Sequence, residues 1–221
     1  MTPKKTPAEA MRRKGRRPER NLRPQRILIV CEGKQTEPNY INGIIDEIYH
    51  NLSVTRDETF EVIGTGLNTL GLLRHAEELC TLNRCYRKVF LVFDKDEFPS
   101  GHFNDAIYLT QKHDEPPFVA IWSNPCFELW LLLHFQYLKS ALPWTDYPNK
   151  LKTYIDYKKN LPDIYDLVKA KTDTALSHAE GLYAFHDSIG NTSPSKRDPA
   201  TKVDVLVRFL RTYQPSLPDV R

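Results

Sequence analysis

The chain has 221 residues, of which 40% are hydrophobic and 27% are charged, with a formal net charge of +3. A chain of this length is expected to form one domain, or one domain with a helical extension. Its longest dense apolar stretch, residues 127–135, contains Glu128 and His134 and is far shorter than the roughly 18 residues that a membrane helix needs. Its four cysteines are too few for a disulfide scaffold, so we expect free thiols in a reducing compartment.

The charge is distributed unequally along the chain. Residues 1–26 carry a net charge of +8, which leaves −5 for the remainder. The first 25 residues are poor in apolar side chains, so we expect a flexible basic arm. Either the arm contacts phosphates of nucleic acid or it is a solvated tail that aids solubility. The residues predicted to contact phosphates are Arg12, Arg13, Lys14, Arg16 and Arg17. The arm also lacks the apolar segment of a secretory signal, and we expect a cytoplasmic protein.

From residue 26 onwards, apolar segments alternate with helical patterns. Buried strands are predicted over 27–31, 60–63, 89–93 and 118–122. Three helices are predicted between these strands. The first covers 38–49, the second follows a cap at Asn68, and the third covers 103–111. This alternation is typical of an α/β protein with a parallel sheet flanked by helices, in which the carboxyl ends of the strands lie at one edge.

The pattern beyond Asn124 is helical. Asn124 is predicted to cap a helix over 125–135 that has Pro125 at its first position. Further helices are predicted near 146–158, 163–187 and 200–212, with a loop over 190–199. We therefore divide the chain into the arm (1–25), an α/β core (26–140) and a helical C-terminal extension packed on the core (141–221).

Acidic residues follow the first and third predicted strands. Glu32 and Gly33 come directly after the first strand, and Asp94 and Asp96 follow the third. Because residues two apart in an extended segment point to the same side, both aspartates can face one point, and Glu32 can reach it if the strands are neighbours. Three such carboxylates repel one another unless a cation joins them, and Mg²⁺ or Mn²⁺ prefers oxygen ligands. The alternative is that these acids cap helices or end strands at the surface.

Three more side chains near these acids have two interpretations each. Glu37 and Glu128 are either further metal ligands or acids stabilised by the helix dipole in a first turn. Lys34 either meets a scissile phosphate or offsets the nearby acids. A lone histidine on an apolar helix is more often a core residue than a ligand, and we interpret His134 in that way.

The segments that carry these residues resemble a known family. Val30-Cys31-Glu32-Gly33 together with Asp94-Lys95-Asp96 resembles the Toprim domain of topoisomerases, bacterial-type primases and OLD-type nucleases. Four segments resemble the RloB family: residues 32–40, 93–96, 123–135 and 198–203. The fourth departs slightly, since it has Asp198-Pro199-Ala200-Thr201 where Asn-Pro-Ser-Thr is expected.

The resemblance implies a Toprim-like core and a role in bacterial defence against phage by abortive infection, often beside a partner ATPase of the AAA type. By similarity, Glu32 would act as general acid or base, Asp94 and Asp96 would hold Mg²⁺, and the protein would cleave phosphodiester bonds. RNA, including tRNA, is favoured over duplex DNA because the body of the chain is acidic. The alternative is a non-catalytic toxin or sensor subunit that docks to the ATPase. The sequence sets no oligomeric state, and a homodimer is one option.

Overall fold

The computed structural model describes residues 26–50, 59–83 and 85–213. Strands and helices alternate through its first part: β1 (Arg26–Cys31), α1 (Thr36–His50), β2 (Phe60–Gly64), α2 (Thr69–Leu82), β3 (Tyr86–Asp94), α3 (Ser100–Thr110) and β4 (Phe118–Asn124). Its second part is mainly helical: α4 (Glu128–Leu133), α5 (Tyr147–Leu151), α6 (Ile164–Val168), α7 (Thr172–Ser188), β5 (Ala200–Thr201) and α8 (Val203–Thr212). Within these described ranges, no helix has both the length and the apolar character needed to cross a membrane.

The described strands form one sheet in the order β2-β1-β3-β4-β5. The first four strands are parallel, whereas β5 is antiparallel to β4. The predicted α/β fold class, with helices on the sheet and a mainly helical C-terminal part, is therefore confirmed, and the architecture is consistent with a Toprim-like core. Since β1 and β3 are neighbours, the residues that follow them meet at one edge of the sheet.

The strand β1 is apolar throughout because helices cover both faces of the sheet. Ile27 and Ile29 point into a core formed with α1 and the C-terminal helices, whereas Leu28 and Val30 point into a second core formed with α2 and α3. All four side chains are fully buried. A strand in this position needs no polar alternation, which explains the continuous apolar run in the sequence.

One of the two asparagines predicted as helix caps acts as a cap. Asn68 precedes α2, and its side chain accepts a hydrogen bond from the Gly71 N–H at 2.9 Å. The prediction for Asn124 is wrong, because this residue ends β4 and pairs with β5. Its side-chain amide instead donates to the carbonyl of Ser195 at 3.3 Å, and α4 begins only at Glu128.

The C-terminal helices are shorter than their apolar spacing predicts. In place of a helix over 146–158, α5 ends at Leu151 and Tyr157 is turned into the core. The predicted helix over 163–187 is divided into α6 and α7 by a 3-10 helix, Lys169–Lys171. The helix predicted over 200–212 begins only at Val203. The two residues at its predicted start, Ala200 and Thr201, form the strand β5 because their backbone groups pair with β4.

His134 lies in the apolar core at the end of α4. Its side chain is fully buried, with Nδ1 3.0 Å from the Trp130 carbonyl oxygen and Nε2 3.5 Å from the Tyr40 hydroxyl. Burial lowers the pKa of His134 to about 4. The imidazole is therefore neutral in the folded protein at neutral pH.

We expect the buried His134 to lower the free energy of unfolding as the pH falls from about 6.5 towards 4. In this window the unfolded chain binds a proton on the ring and the folded chain does not, so acidification favours unfolding by up to about 3 kcal/mol. Denaturant unfolding of the wild type and of His134→Gln measures the effect. As the pH falls, the free energy of unfolding should decrease more for the wild type than for His134→Gln. A difference between the two proteins that does not change with pH would contradict the lowered pKa of His134.

Candidate functional site

A cavity of about 340 Å³ lies at the carboxyl edge of the sheet. The ends of β1 and β3, the starts of α1 and α4, and a segment that follows α5 contribute to its lining. The side chains predicted as catalytic residues or metal ligands all line it: Glu32, Lys34, Glu37, Asp94, Asp96 and Glu128. We call it the acidic cavity.

The pairing of β1 with β3 places Glu32 beside Asp94. The Glu32 N–H donates to the Val92 carbonyl at 2.8 Å, which continues the pairing of the two strands. The Asp94 N–H donates to Glu32 Oε2 at 3.3 Å. The Asp94 carboxylate accepts a hydrogen bond from the Phe127 N–H at 3.0 Å, so it is also held by the segment that leads into α4.

Asp96 reaches the acidic cavity through a turn. The strand β3 ends at Asp94, and Asp96 has a φ of 40°, in the left-handed region that side-chain-bearing residues rarely adopt. Its N–H donates to the Pro125 carbonyl at 2.9 Å, which holds the turn in place. The expectation of an extended segment from Asp94 to Asp96 is therefore wrong, although both side chains line the cavity. Strained backbone of this kind is concentrated at functional sites.

Two helix starts bring further carboxylates into the acidic cavity. Glu37 lies in the first turn of α1, is only 7% exposed, and lies so close to Gly33 that a Cβ there would collide with its carboxylate. Glu128 lies in the first turn of α4 and accepts a hydrogen bond from the Tyr157 hydroxyl at 2.8 Å. Both positions fit stabilisation by the helix dipole. Both side chains also line the cavity, as a metal ligand would have to.

The acids of the cavity raise one another's pKa values. Burial, followed by repulsion from Glu37, Asp96 and Glu128, raises the pKa of Asp94 well above its ordinary value. Burial raises the pKa of Glu32 to about 7, and it also raises the pKa of Glu37. Partial desolvation and the charge of Glu128 raise the pKa of Asp96. The carboxylates therefore share a space that favours an added positive charge.

A hard divalent cation suits this set of oxygen donors. Mg²⁺ binds one or two carboxylates and usually keeps several waters or substrate oxygens in its remaining positions. Within the described ranges, no three or more His, Cys, Asp or Glu side chains lie together in an arrangement that could hold a metal ion. The ligands would therefore have to close around an ion, with waters and substrate completing its coordination.

A segment from the predicted helical extension completes the lining. Lys159 and Asn160 line the acidic cavity, and the charge of Lys159 partly offsets the raised pKa values of Glu37 and Asp96. The Asn160 N–H donates to the Thr36 hydroxyl at 3.2 Å, which ties this segment to the start of α1. Lys159 is a residue of the cavity that the sequence does not predict. Its only signal is the pair Lys158-Lys159, which by itself looks like an ordinary solvated surface.

The basic residues predicted to bind nucleic acid are not among the residues that the structure describes. Arg12, Arg13, Lys14, Arg16 and Arg17 lie outside the described residues, so their contact with phosphates stays a prediction. The described chain begins at Arg26, the first residue of β1, at the edge of the sheet opposite the acidic cavity. Lys34, by contrast, is exposed and lines the acidic cavity itself.

The fold and the site define an α/β protein with an acidic cavity at the carboxyl edge of a mainly parallel sheet. The chain belongs to the RloB-like protein family, whose family model matches residues 27–210. The matched range covers every element of the sheet and every residue of the acidic cavity, and it begins after the basic arm. A comparison with curated proteins finds no match.

Proposed function

We propose that this protein is a Mg²⁺- or Mn²⁺-dependent nuclease that cleaves phosphodiester bonds of nucleic acid. The observation that carries the proposal is the acidic cavity, in which five carboxylates and two lysines meet at the ligand-binding edge of an α/β sheet. Phosphoryl chemistry requires neutralisation of the phosphate charge and a positioned proton acceptor. The cavity contains side chains suited to both tasks.

The metal ion would be held by Asp94 and Asp96, with Glu32, Glu37 and Glu128 as further candidate ligands. When bound, Mg²⁺ would neutralise charge on the phosphate and orient it. The Asp94 carboxylate is already fixed by the Phe127 N–H, so little side-chain freedom remains to be lost on binding.

Glu32 would accept a proton from the attacking hydroxyl group. Burial holds its pKa at about 7, which is near the operating pH at which a general base is most effective. Lys34 and Lys159 carry the positive charges that line the acidic cavity, and they would bind oxygens of the scissile phosphate. Asn160 and Thr36 would position Lys159 through their hydrogen bond.

We favour RNA, with tRNA as a candidate, over duplex DNA. The chain outside residues 1–26 has a net charge of −5, which is a poor surface for wrapping a duplex. The chain belongs to the RloB-like protein family. From what that resemblance implies, we propose a cytoplasmic role in defence against phage with an AAA-type ATPase as partner.

The experiment is an assay of single-stranded RNA, tRNA, single-stranded DNA and duplex DNA with the full chain, in Mg²⁺, in Mn²⁺ and in chelator. Cleavage that requires the metal and is absent from an identically purified Asp94→Ala protein would support the proposal. Equal cleavage by both proteins would contradict it, because a contaminating nuclease would then explain the activity.

Gly64 provides a test of how strictly the loop after β1 must be placed. A Cβ at Gly64 would lie 2.5 Å from the Lys34 carbonyl oxygen and 2.8 Å from that of Gly33, so Gly64→Ala has to displace the backbone next to Glu32. A displacement near 1 Å can cost up to about 100-fold in rate, and we expect a loss of about tenfold. The matched control is Gly101→Ala in α3, where nothing lies within 4 Å of the added methyl group and where activity and melting temperature should not fall.

A non-catalytic subunit that docks to the ATPase is the second candidate. It is favoured by the lack, in the described part of the chain, of a preformed group of three metal ligands. Copurification with the ATPase, together with no Mg²⁺ binding by calorimetry, would support this alternative over the nuclease.

A further inference from the structure

A second cavity, of about 440 Å³, opens beside the acidic cavity. The two share the side chains of Asp94, Asp96, Glu128 and Lys159. The rest of its lining comes mostly from the segment 144–158: Trp144, Pro148, Lys152, Tyr157 and Lys158. We call it the side cavity. Its volume lies within the roughly 300–1,000 Å³ of sites that bind small molecules or their parts.

Trp144 is exposed in the side cavity although the other tryptophans are buried. Its exposed fraction is 44%, against 3% for Trp122 and 0% for Trp130. It lies in a short 3-10 helix, Trp144–Asp146, and contributes nothing to either hydrophobic core. A large exposed aromatic side chain beside a charged cleft has the properties of a stacking surface for a nucleobase.

The charged side chains that line the side cavity but not the acidic cavity are positive. Lys152 and Lys158 are both exposed and line it, in addition to the shared Lys159. Lys158 pairs with Asp156 at 3.2 Å, but both side chains are largely exposed, so the pair is weak and leaves the ammonium group free to bind a phosphate. Lysines that interleave with an aromatic side chain are typical of grooves that follow a single strand.

We infer that the side cavity binds an unpaired nucleotide next to the scissile phosphate, with Trp144 stacked on its base and Lys152 and Lys158 on neighbouring phosphates. This inference rests on the proposed function, because the acidic cavity supplies the adjoining phosphate site. The substrate class is single-stranded nucleic acid, RNA or DNA, since a base in a duplex is already stacked and paired and cannot offer a face to Trp144.

Tryptophan fluorescence tests this inference without any cleavage. The chain has three tryptophans and only Trp144 is exposed, so stacking of a base should quench its emission. The full chain in chelator is titrated with single-stranded RNA and DNA of about 12 nucleotides, within the roughly 4–16 of single-strand sites, and with duplexes of the same sequence. We expect quenching by the single strands and much less by the duplexes. The RNA and DNA arms show which sugar is preferred.

Variants separate stacking from charge. Trp144→Ala should raise the Kd for a single strand by about 5- to 150-fold without changing its salt dependence, whereas Trp144→Phe should keep most of the affinity and lose the quenching. Lys152→Ala should lower the slope of log K against log salt by about 0.7, the value for one phosphate contact with a single strand. The matched controls are Tyr108→Ala and Lys112→Ala, exposed residues of the α3 region that line neither cavity.

The outcomes distinguish this inference from the proposed function. Absence of quenching, an unchanged Kd for Trp144→Ala, or equal binding of duplexes would overturn the inference, even if the protein cleaves nucleic acid in Mg²⁺. The remaining outcome is that single strands quench the wild-type fluorescence and bind Trp144→Ala more weakly, but the wild type cleaves nothing in Mg²⁺ or Mn²⁺. That result would support the nucleotide site and contradict the nuclease.

Discussion

Asp94→Asn is expected to abolish cleavage, with a loss of about 1,000-fold or more, while it stabilises the metal-free protein. Loss of a metal-bound charge at a phosphoryl-transfer site costs several kcal/mol of transition-state stabilisation. The asparagine side chain can still accept the hydrogen bond from the Phe127 N–H. Because burial and three neighbouring acids raise the pKa of Asp94, its charge is unfavourable in the folded protein without a cation.

The stability of Asp94→Asn is measured by thermal unfolding with and without Mg²⁺. Removal of this repulsion should raise the melting temperature of the metal-free protein, by roughly 2–4 °C for each kcal/mol of stability gained. Mg²⁺ should raise the melting temperature of the wild type and leave that of the variant almost unchanged, because only the wild type binds the ion tightly. The control is Asp105→Asn, an exposed aspartate of α3 that lines neither cavity. A variant that melts below the wild type would contradict the proposed repulsion.

Glu32→Gln is expected to lower kcat by about 100-fold or more and to leave nucleic-acid binding intact. A general base contributes typically 10²–10⁴-fold, and an amide cannot accept the proton. The glutamine oxygen can still accept the hydrogen bond from the Asp94 N–H, so the pairing of β1 with β3 is preserved. The variant loses a negative charge near the phosphate, so its affinity for a single strand should equal or exceed that of the wild type.

The measurement separates kcat from KM and adds the Kd in chelator. A matched control is Glu180→Gln, an exposed residue of α7 that bonds to Arg208 and lies outside both cavities. If Glu32→Gln raises KM at unchanged kcat, the side chain binds substrate and is not the base. If both variants behave as the wild type, Glu32 has no part in the chemistry.

The sequence predicts the sheet and the position of the acids well because both depend on local, regular patterns. Buried strands in a parallel sheet are continuous apolar runs, and residues that follow neighbouring strands share an edge. These rules bring Glu32 and Asp94 to one cavity without any knowledge of contacts. They fail for the backbone of Asp96, since a hydrogen bond to Pro125, far along the chain, sets its turn.

The parts that the sequence does not predict depend on distant contacts. Lys159 enters the acidic cavity because Asn160 bonds to Thr36, 124 positions earlier in the chain. The strand β5 forms because two residues pair with the end of β4, and nothing in the Asp198-Pro199-Ala200-Thr201 segment itself indicates a strand. The exposure of Trp144 is likewise a property of the folded surface, because its neighbours in sequence do not distinguish it from a core residue.

The position of β5 has a consequence for the newly made polypeptide on the ribosome. Thr201 pairs with Ser123 through the backbone and through their hydroxyl groups, 3.0 Å apart, and Ser123 in turn pairs with Asp94. Chains are made from the N-terminus, so this neighbour of the aspartate strand emerges from the ribosome 107 residues after Asp94. The sheet that carries the acidic cavity is therefore incomplete in the nascent chain until β5 has been made.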